Sequence, residues 1–314
     1  MTSNHVNLSK AQRLRELFAT RTLAIPGAWN ALTAIQIERA GYEVLYVSGA
    51  AISAAHGLPD IGLITLTEMA REAAAIAKMV ALPTIVDADT GYGPPSVVRE
   101  AVQEFERAGL AGMQIEDQEE SKKCGHLPGK RLIPTGDMVA KITAAVQAKR
   151  DRDFVIVART DARTVDGMNA AIERALAYVE AGADALFPEA LLSAEEFRTF
   201  ALEMKKAGVR VPLIANMTEF GKTPYVSVGE FEALGYKGVL FPVSTLRVAA
   251  RAVEKLLVEL KFFGSQRDWL DHMMTRQELY DLLRYEQDED QTRRPYEPGH
   301  TRAAQDCDGT EPLI

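Results

Sequence analysis

The chain contains few of the residues that cross-link, anchor or export a protein. Cys124 and Cys307 are its only cysteines, so no disulfide framework is expected and a reducing compartment fits best. No apolar run approaches the roughly 18 residues that suggest a membrane span, and the N-terminal stretch lacks the apolar segment of a secretory signal. We therefore expect a cytoplasmic protein with no membrane partner, or a mitochondrial matrix protein if the source is eukaryotic.

Positive charge and histidine are also scarce. Lys and Arg number 36 against 44 Asp and Glu, which gives a formal net charge of −8 and a pI near 5.3. A general nucleic-acid binder needs a basic face to neutralise phosphates, so no nucleic-acid partner is expected. The chain has five histidines in all. A zinc site is therefore not expected, because zinc takes mainly His and Cys ligands.

Apolar residues make up 47% of the chain, and many fall in short runs separated by alanine-rich segments with helical spacing. Strands that alternate with helices predict parallel βα units, because parallel strands need a long crossover connection. Eight such units over about 250 residues predict an α/β fold of the (β/α)8 barrel type. A doubly wound open sheet is the competing fold, but the first run lacks a glycine-rich phosphate turn after it. The runs span residues 23–28, 44–49, 83–89, 112–117, 154–161, 185–190, 212–218 and 238–244.

Helical patterns flank the eight runs. Residues 9–20 predict a capping helix that closes one end of the fold, and residues 245–263 and 269–285 predict a C-terminal helical extension. We expect residues 1–290 to form a single barrel domain with its C-terminal helices. Residues 291–314 are polar and lack apolar periodicity, which is typical of a flexible tail. Cys307 lies in that tail and is not expected to be catalytic.

Polar side chains follow almost every predicted strand. Taken alone, each of them is more often a turn or helix-capping residue than a functional one. In a parallel barrel, however, the carboxyl ends of all strands meet at one mouth, where barrel active sites lie. The coincidence therefore favours an active site. The residues concerned are Ser48, Asp87, Asp89, Glu116, Asp117, Arg159, Asp161, Glu189, Asn216, Thr218 and Ser244.

Asp87 and Asp89 lie two residues apart, so they point to the same side of a strand. Magnesium prefers oxygen ligands and keeps several waters, so one or two carboxylates are enough to hold it. A Mg²⁺ site is the functional interpretation, and a pair of capping or ion-paired carboxylates is the alternative. Arg159, Arg247 and Asn216, together with Arg276, would then bind substrate carboxylates, since arginine presents a planar fork of donors.

Residues 122–126 read KKCGH and place Cys124 among cationic neighbours. Such neighbours lower a thiol pKa, because they favour the thiolate. The glycines and proline that follow indicate a loop. We expect Cys124 to exchange a proton with a carbon acid, which is general acid–base catalysis. The alternative is a basic surface loop with an incidental cysteine.

Several motifs are specific enough to carry a resemblance. From about residue 26 to residue 289 the chain resembles the isocitrate lyase and phosphoenolpyruvate mutase superfamily, and most closely its 2-methylisocitrate lyases. The KKCGH loop matches the lyase branches, whereas the mutase, phosphonopyruvate hydrolase and oxaloacetate decarboxylase branches lack it. The motifs are YVSG at 46–49, VDADTGYG at 86–93, IEDQ at 115–118, KKCGH at 122–126, ARTDA at 158–162, FPEA at 187–190, NMTEFG at 216–221 and TRQELY at 275–280.

The resemblance implies a barrel whose last helix is swapped between paired subunits of a homotetramer. It implies Mg²⁺-dependent cleavage of a small tricarboxylate, (2S,3R)-2-methylisocitrate, to pyruvate and succinate in the methylcitrate route of propionate catabolism. A sister lyase or hydrolase acting on 2,3-dimethylmalate, isocitrate or oxaloacetate is the nearest alternative. A non-catalytic barrel is the more distant one, because fold alone does not fix function.

The resemblance also implies roles for individual residues. Asp87 and Asp89 would hold the metal, with Asp60 and Glu116 ordering its waters. Cys124 would protonate the succinate aci-carboxylate, Lys122 and His126 would tune it, and Tyr46 is the candidate base. An apolar slot of Phe187, Leu240 and Pro242 would accept the extra methyl, a group worth only about 1–3 kcal/mol of discrimination. Substrate would be bound by Ser48, Gly49, Ala50, Cys124, Gly125, Arg159, Glu189, Asn216, Thr218, Arg247 and Arg276.

Overall fold

The computed structural model describes residues 8–120 and 122–285. The chain divides into two compact units, Met1–Lys255 and Leu256–Ile314. The predicted tail at 291–314, including Cys307, lies outside the described residues. Within the described ranges, no helix combines the length and the apolar character needed to cross a membrane.

Eight parallel strands form the centre of the first unit. Consecutive strands from β1 to β6 pair with each other, β7 pairs with β8, and β1 also pairs with β8, in the order β6-β5-β4-β3-β2-β1-β8-β7. A bridge between Leu186 and Leu213 joins the two ends of that order, which nearly closes the barrel. The predicted (β/α)8 barrel is therefore confirmed. The strands are β1 Leu23–Ala28, β2 Leu45–Val47, β3 Thr84–Asp87, β4 Gly112–Glu116, β5 Val155–Thr160, β6 Ala185–Pro188, β7 Ile214–Asn216 and β8 Gly238–Phe241.

Helices connect and surround the strands. Several begin at a side chain that accepts from a free backbone N–H of the first turn, as Ser9, Thr65 and Ser227 do in capping boxes. Short 3₁₀ helices at Ala162–Thr164 and Arg267–His272 complete the set. The α-helices are α1 Lys10–Thr20, α2 Ala31–Arg39, α3 Gly49–Ala55, α4 Leu66–Lys78, α5 Pro95–Arg107, α6 Thr135–Ala148, α7 Met168–Glu180, α8 Ala194–Lys206, α9 Val228–Ala233, α10 Ser244–Phe263 and α11 Arg276–Leu283.

Two apolar layers pack on either side of the strands. The outer layer lies between the strands and the surrounding helices. The inner layer fills the barrel, and α1 adds Leu14 and Phe18 to it beside Leu23 and Ile25 of β1. Because these α1 side chains cover the amino end of the barrel, as residues 9–20 predicted, the opposite end is the one available for a site.

Candidate active site

The two-residue period of a strand places the candidate side chains above the inner core. On β5, Val157 belongs to the inner apolar layer and Arg159 follows it by two residues, on the same face. Phe187 on β6 belongs to the same layer, and Glu189 follows it by two residues, directly after the strand ends. The barrel therefore has an apolar floor and a polar rim at its carboxyl end.

One cavity at this rim brings most of the predicted residues together. Of the predicted site residues in the first unit, Gly49, Asp89 and Glu116 do not line it. Lys123 and Val243 line it as well, although neither was assigned a role from the sequence. The lining residues are Tyr46, Ser48, Ala50, Asp60, Asp87, Lys122, Lys123, Cys124, Gly125, His126, Arg159, Phe187, Glu189, Asn216, Thr218, Leu240, Pro242, Val243 and Arg247.

Asp87 and Asp89 flank Gly49 at the carboxyl end of β3. The Gly49 amide donates to Asp87 Oδ2 over 3.3 Å, and the Asp89 amide donates to Asp87 Oδ1 over 3.2 Å. A Cβ on Gly49 would lie 3.0 Å from Asp87 Oδ2 and 3.4 Å from Asp89 Oδ1. Asp89 has a φ of +47°, a left-handed conformation that turns its side chain toward this point at some cost in backbone strain.

These two carboxylates could hold a small hard cation. Burial and the neighbouring Asp87 charge raise the pKa of Asp89 to about 6, although Lys122 partly opposes this. The Lys122 Nζ contacts Asp89 and lies 2.6 Å from Asp60 Oδ1. Over residues 8–120 and 122–285 no group of three or more His, Cys, Asp or Glu side chains is arranged to hold a metal. Mg²⁺ fits this donor set, because it is satisfied by two carboxylates and retained waters.

The pKa of the Cys124 thiol is shifted in the direction opposite to the one expected from the sequence. Burial raises its pKa, and the Asp60 and Glu189 charges add to that effect, while the His126 backbone and Arg159 oppose it. The Lys122 ammonium, two residues before the thiol, does not act on it as expected, because it is paired with carboxylates. The cysteine is therefore held as a neutral thiol, which can give a proton.

His126 and Asn216 fix the position of Glu189. The His126 Nδ1 accepts from the Lys222 backbone N–H over 3.0 Å, which leaves the ring proton on Nε2, 2.9 Å from Glu189 Oε1. The Asn216 amide donates to both Glu189 oxygens over 3.3 and 3.2 Å. Burial alone would raise the pKa of Glu189, but Arg159 and His126 more than offset it and hold the pKa at about 2. Glu189 is thus ionised at neutral pH.

The strand register sets Arg159 between Glu116 on β4 and Phe187 on β6. Its Nε donates to Asp161 Oδ2 over 2.9 Å and its Nη2 to Asp161 Oδ1 over 3.1 Å, a two-pronged contact. Its Nε lies 3.3 Å from Glu116 Oε2 and its Nη1 3.5 Å from Glu189 Oε2. Burial raises the pKa of Glu116 well above its ordinary value despite this arginine. Arg159 is thus a rigid cation at the rim.

Asp117 holds the carboxyl end of β5 in place through a network of hydrogen bonds. Its carboxylate accepts from the Asp161 backbone N–H over 2.9 Å, from Thr160 Oγ1 over 2.8 Å and from the Tyr178 hydroxyl over 2.8 Å. Arg174 Nη1 approaches the same carboxylate at 3.3 Å. The sequence placed Asp117 and Asp161 at strand ends, but it gave them no role.

Tyr46 is oriented as a donor. Its hydroxyl donates to Gln114 Oε1 over 2.5 Å. Burial raises the pKa of Tyr46 well above its ordinary value, and the Asp87 charge adds to the shift. A phenol whose proton is both held by Gln114 and hard to remove is a poor base, so the geometry disfavours the predicted basic role.

Arg247 and Arg276, both predicted to bind substrate carboxylates, lie in different units of the chain. Arg247, on α10, lines the cavity, donates to the Glu219 carbonyl over 2.5 Å and lies over the Phe220 ring at 5.3 Å. Arg276 begins α11 in the second unit, and its binding role stays a prediction. Phe187 and Leu240 are almost fully buried in the inner layer and form the apolar wall with Pro242.

A barrel with its polar cavity at the carboxyl end of the strands is the architecture of an enzyme. The family described as phosphoenolpyruvate phosphomutase matches residues 14–261, and the chain belongs to this family.

Relatives within the family are more specific. A 2-methylisocitrate lyase of Aeropyrum pernix is 54% identical over 87% of this chain and 86% of its own. One of Bacillus subtilis is 47% identical over 88% and 89%. A crystal structure of 2,3-dimethylmalate lyase, of the phosphoenolpyruvate mutase/isocitrate lyase superfamily, superposes with a TM-score of 0.83 at 36% identity, covering 90% of this chain and 94% of that one.

Proposed function

We propose that this chain is a carbon–carbon lyase that cleaves 2-methylisocitrate to pyruvate and succinate, in the methylcitrate route of propionate catabolism. Support comes from relatives of that name at 44–54% identity. The observation that carries the proposal is the single cavity shared by Asp87, Cys124, Arg159, Glu189 and Asn216. It combines carboxylates for a cation, a cationic group for substrate carboxylates and one proton donor.

Mg²⁺ is the proposed cofactor. Asp87 and Asp89 would hold it, and Asp60 and Glu116 would order its waters. When bound, the ion would stabilise negative charge that develops on substrate oxygens. The Lys122 ammonium contacts both Asp89 and Asp60. It would therefore shift toward Asp60 when a cation binds to Asp89.

Cys124 is the proposed acid. The substrate hydroxyl passes its proton to a water molecule in the cavity, and the bond between the hydroxyl-bearing carbon and its carboxylate-bearing neighbour breaks. The electron pair of that bond passes into the neighbour's carboxylate, and the thiol proton then goes to the neighbour carbon. A thiol kept neutral by burial suits this step, because a thiolate would have no proton to donate.

Charged and polar groups at the rim are the proposed carboxylate clamps. Arg159 is buried and held in place, so it can orient a carboxylate without losing side-chain freedom. Arg247 lies at the cavity edge with a half-exposed side chain, where it can release Glu219 for a substrate carboxylate. Ser48, Gly49, Ala50, Gly125, Thr218 and Arg276 complete the proposed contacts, and Phe187, Leu240 and Pro242 face the methyl.

A sister activity is the second candidate. A 2,3-dimethylmalate lyase of Eubacterium barkeri is 42% identical over 88% of this chain. Dimethylmalate has two carboxylates, so it would leave one arginine clamp unused. Turnover of 2-methylisocitrate, isocitrate, 2,3-dimethylmalate and oxaloacetate, followed by release of the 2-oxo or dicarboxylic acid products, separates the candidates. Consumption of oxaloacetate alone would exclude the lyase.

The proposed assembly is a homotetramer built from helix-swapped dimers. No residue of the 20-residue α10 is buried by the part of the chain that the structure describes. Its Val248, Val253 and Leu257 are 71%, 54% and 58% exposed, which is unusual for a helix with apolar residues along its length. Light scattering on the purified protein tests the tetramer. We also propose a cytoplasmic location, which fractionation of the source cells tests.

A further inference from the structure

Lys130 is a buried lysine that bridges the cysteine loop to the barrel. Its side chain is 1% exposed. Its Nζ donates to the Gly125 carbonyl over 2.6 Å and to Asp161 Oδ1 over 2.6 Å. Removing an ammonium group from water is costly unless partners replace the water. Lys130 therefore favours the arrangement in which both of its partners stay close.

The barrel side of this bridge is rigid. Asp161 follows β5 directly, and its carboxylate is shared between Lys130 and Arg159. Its backbone N–H and the adjacent Thr160 hydroxyl both donate to the buried Asp117. The Asp161 carboxylate that Lys130 binds is therefore held in place by the end of β5 and by the hydrogen bonds to Asp117.

The loop side of the bridge is one residue from the thiol. Gly125 follows Cys124, and the loop passes so close to the barrel that a Cβ on Gly125 would lie 2.5 Å from Arg159 Nη2. Gln118 holds the loop before the thiol, because its side chain exchanges two hydrogen bonds of 2.9 and 3.0 Å with the Lys123 backbone. His126 holds it on the other side through Glu189.

We propose that Lys130 is a positioning residue that pins residues 123–126 against the end of β5 and so keeps Cys124 directed into the cavity. Its role in turnover rests on the proposed function, whereas its effect on the loop does not. No pattern in the sequence distinguishes Lys130 from its neighbour Arg131, since only the fold shows that one is buried and the other exposed.

The test measures how fast iodoacetamide alkylates Cys124, followed by mass spectrometry of the peptide that contains it. Lys130→Met removes both bonds and keeps the apolar stem. Loss of hydrogen bonds to a charged group is expected to raise the alkylation rate about tenfold or more, because the loop opens more often. Lys149→Met is the matched control. Lys149 makes the same pair of bonds, to the Phe154 carbonyl over 3.0 Å and Asp184 Oδ2 over 2.6 Å, at the amino end of β5 and β6.

Equal alkylation rates in Lys130→Met and the wild type would overturn the proposal. If Lys130→Met does not fold, Asp161→Asn weakens the same bridge from the barrel side and is expected to accelerate alkylation as well; an unchanged rate there would overturn it too. In turnover, Lys130→Met is expected to lower kcat more than it raises KM for 2-methylisocitrate. A wild type inactive on that substrate would refute the proposed function and leave the alkylation contrast intact.

Discussion

Gly125 lies against Arg159 so closely that no side chain fits between them. A methyl group on Gly125 would be 2.5 Å from Arg159 Nη2 and 2.5 Å from Glu189 Cγ. Neither neighbour can give way, because Arg159 is forked onto Asp161 and Glu189 is bound by Asn216. The loop that carries the thiol and the rim that carries the arginine are thus fitted to each other.

Gly125→Ala is expected to push the loop out of place and to lower kcat/KM about 100-fold, since small misplacements of catalytic groups have effects of this size. Steady-state kinetics measures it. Gly136→Ala is the matched control, because a Cβ at Gly136 meets nothing within 4 Å. Wild-type kinetics in Gly125→Ala would show that the loop does not need this fit.

Cys124→Ser is expected to lower kcat by about 10²–10⁴-fold, the usual contribution of a general acid. A serine hydroxyl is much less acidic than the thiol, so it gives its proton poorly. Metal affinity should be unchanged, which titration calorimetry measures. Cys307→Ser is expected to behave as the wild type, and full activity in Cys124→Ser would remove this residue from the mechanism.

Removal of the metal with EDTA is expected to abolish turnover, and added Mg²⁺ to restore it. Asp87→Asn and Asp89→Asn should each weaken binding of Mn²⁺, used as a spectroscopic probe, by at least about tenfold, because each removes one anionic ligand. Electron paramagnetic resonance of free Mn²⁺ measures this without any assay of activity. Unchanged Mn²⁺ affinity in both variants would place the metal elsewhere.

Asp117→Ala is expected to destabilise the first unit by about 3–5 kcal/mol, since it leaves buried partners without their charge. The loss includes the bonds from Thr160, Tyr178 and the Asp161 backbone. Thermal unfolding followed by circular dichroism measures the change. A melting temperature equal to that of the wild type would mean that the network contributes nothing to stability.

Glu189 predicts a dependence of stability on pH. Its pKa is about 2 in the folded chain, below the ordinary value of 4.5. A lowered folded pKa adds stability that is fully present above about pH 4.5 and is lost as pH falls toward 2. The stability gap between wild type and Glu189→Gln should therefore narrow over this range, as measured by denaturant unfolding. A constant gap would contradict the assignment.

The alternation of apolar and polar residues allowed much of the site to be predicted. Val157 and Phe187 fill the barrel, and Arg159 and Glu189 follow them by two residues, so the strand period alone puts both on the inner face. The gathering of strand ends at one mouth follows from the parallel topology. These are local or topological rules, and the chain obeys them.

Effects that depend on tertiary contacts could not be predicted. The two lysines that precede Cys124 suggested a lowered thiol pKa, but the Lys122 ammonium contacts Asp60 and Asp89, which lie far away in sequence. Burial then dominates and raises the thiol pKa. Lys130 was missed for the same reason, since its partners become neighbours only in the folded barrel.

The helix α1 closes the amino end of the barrel in the described part of the chain, where Leu14 and Phe18 join the inner layer. The substrate and both products made from it must then pass through the same opening, at the carboxyl end of the barrel. Cys124, Gly125 and His126 line the cavity at this end of the barrel, so every molecule that enters or leaves passes the segment that carries the thiol. The rate at which both products leave by this shared route sets an upper limit on the rate of the whole cycle, however fast the bond is broken.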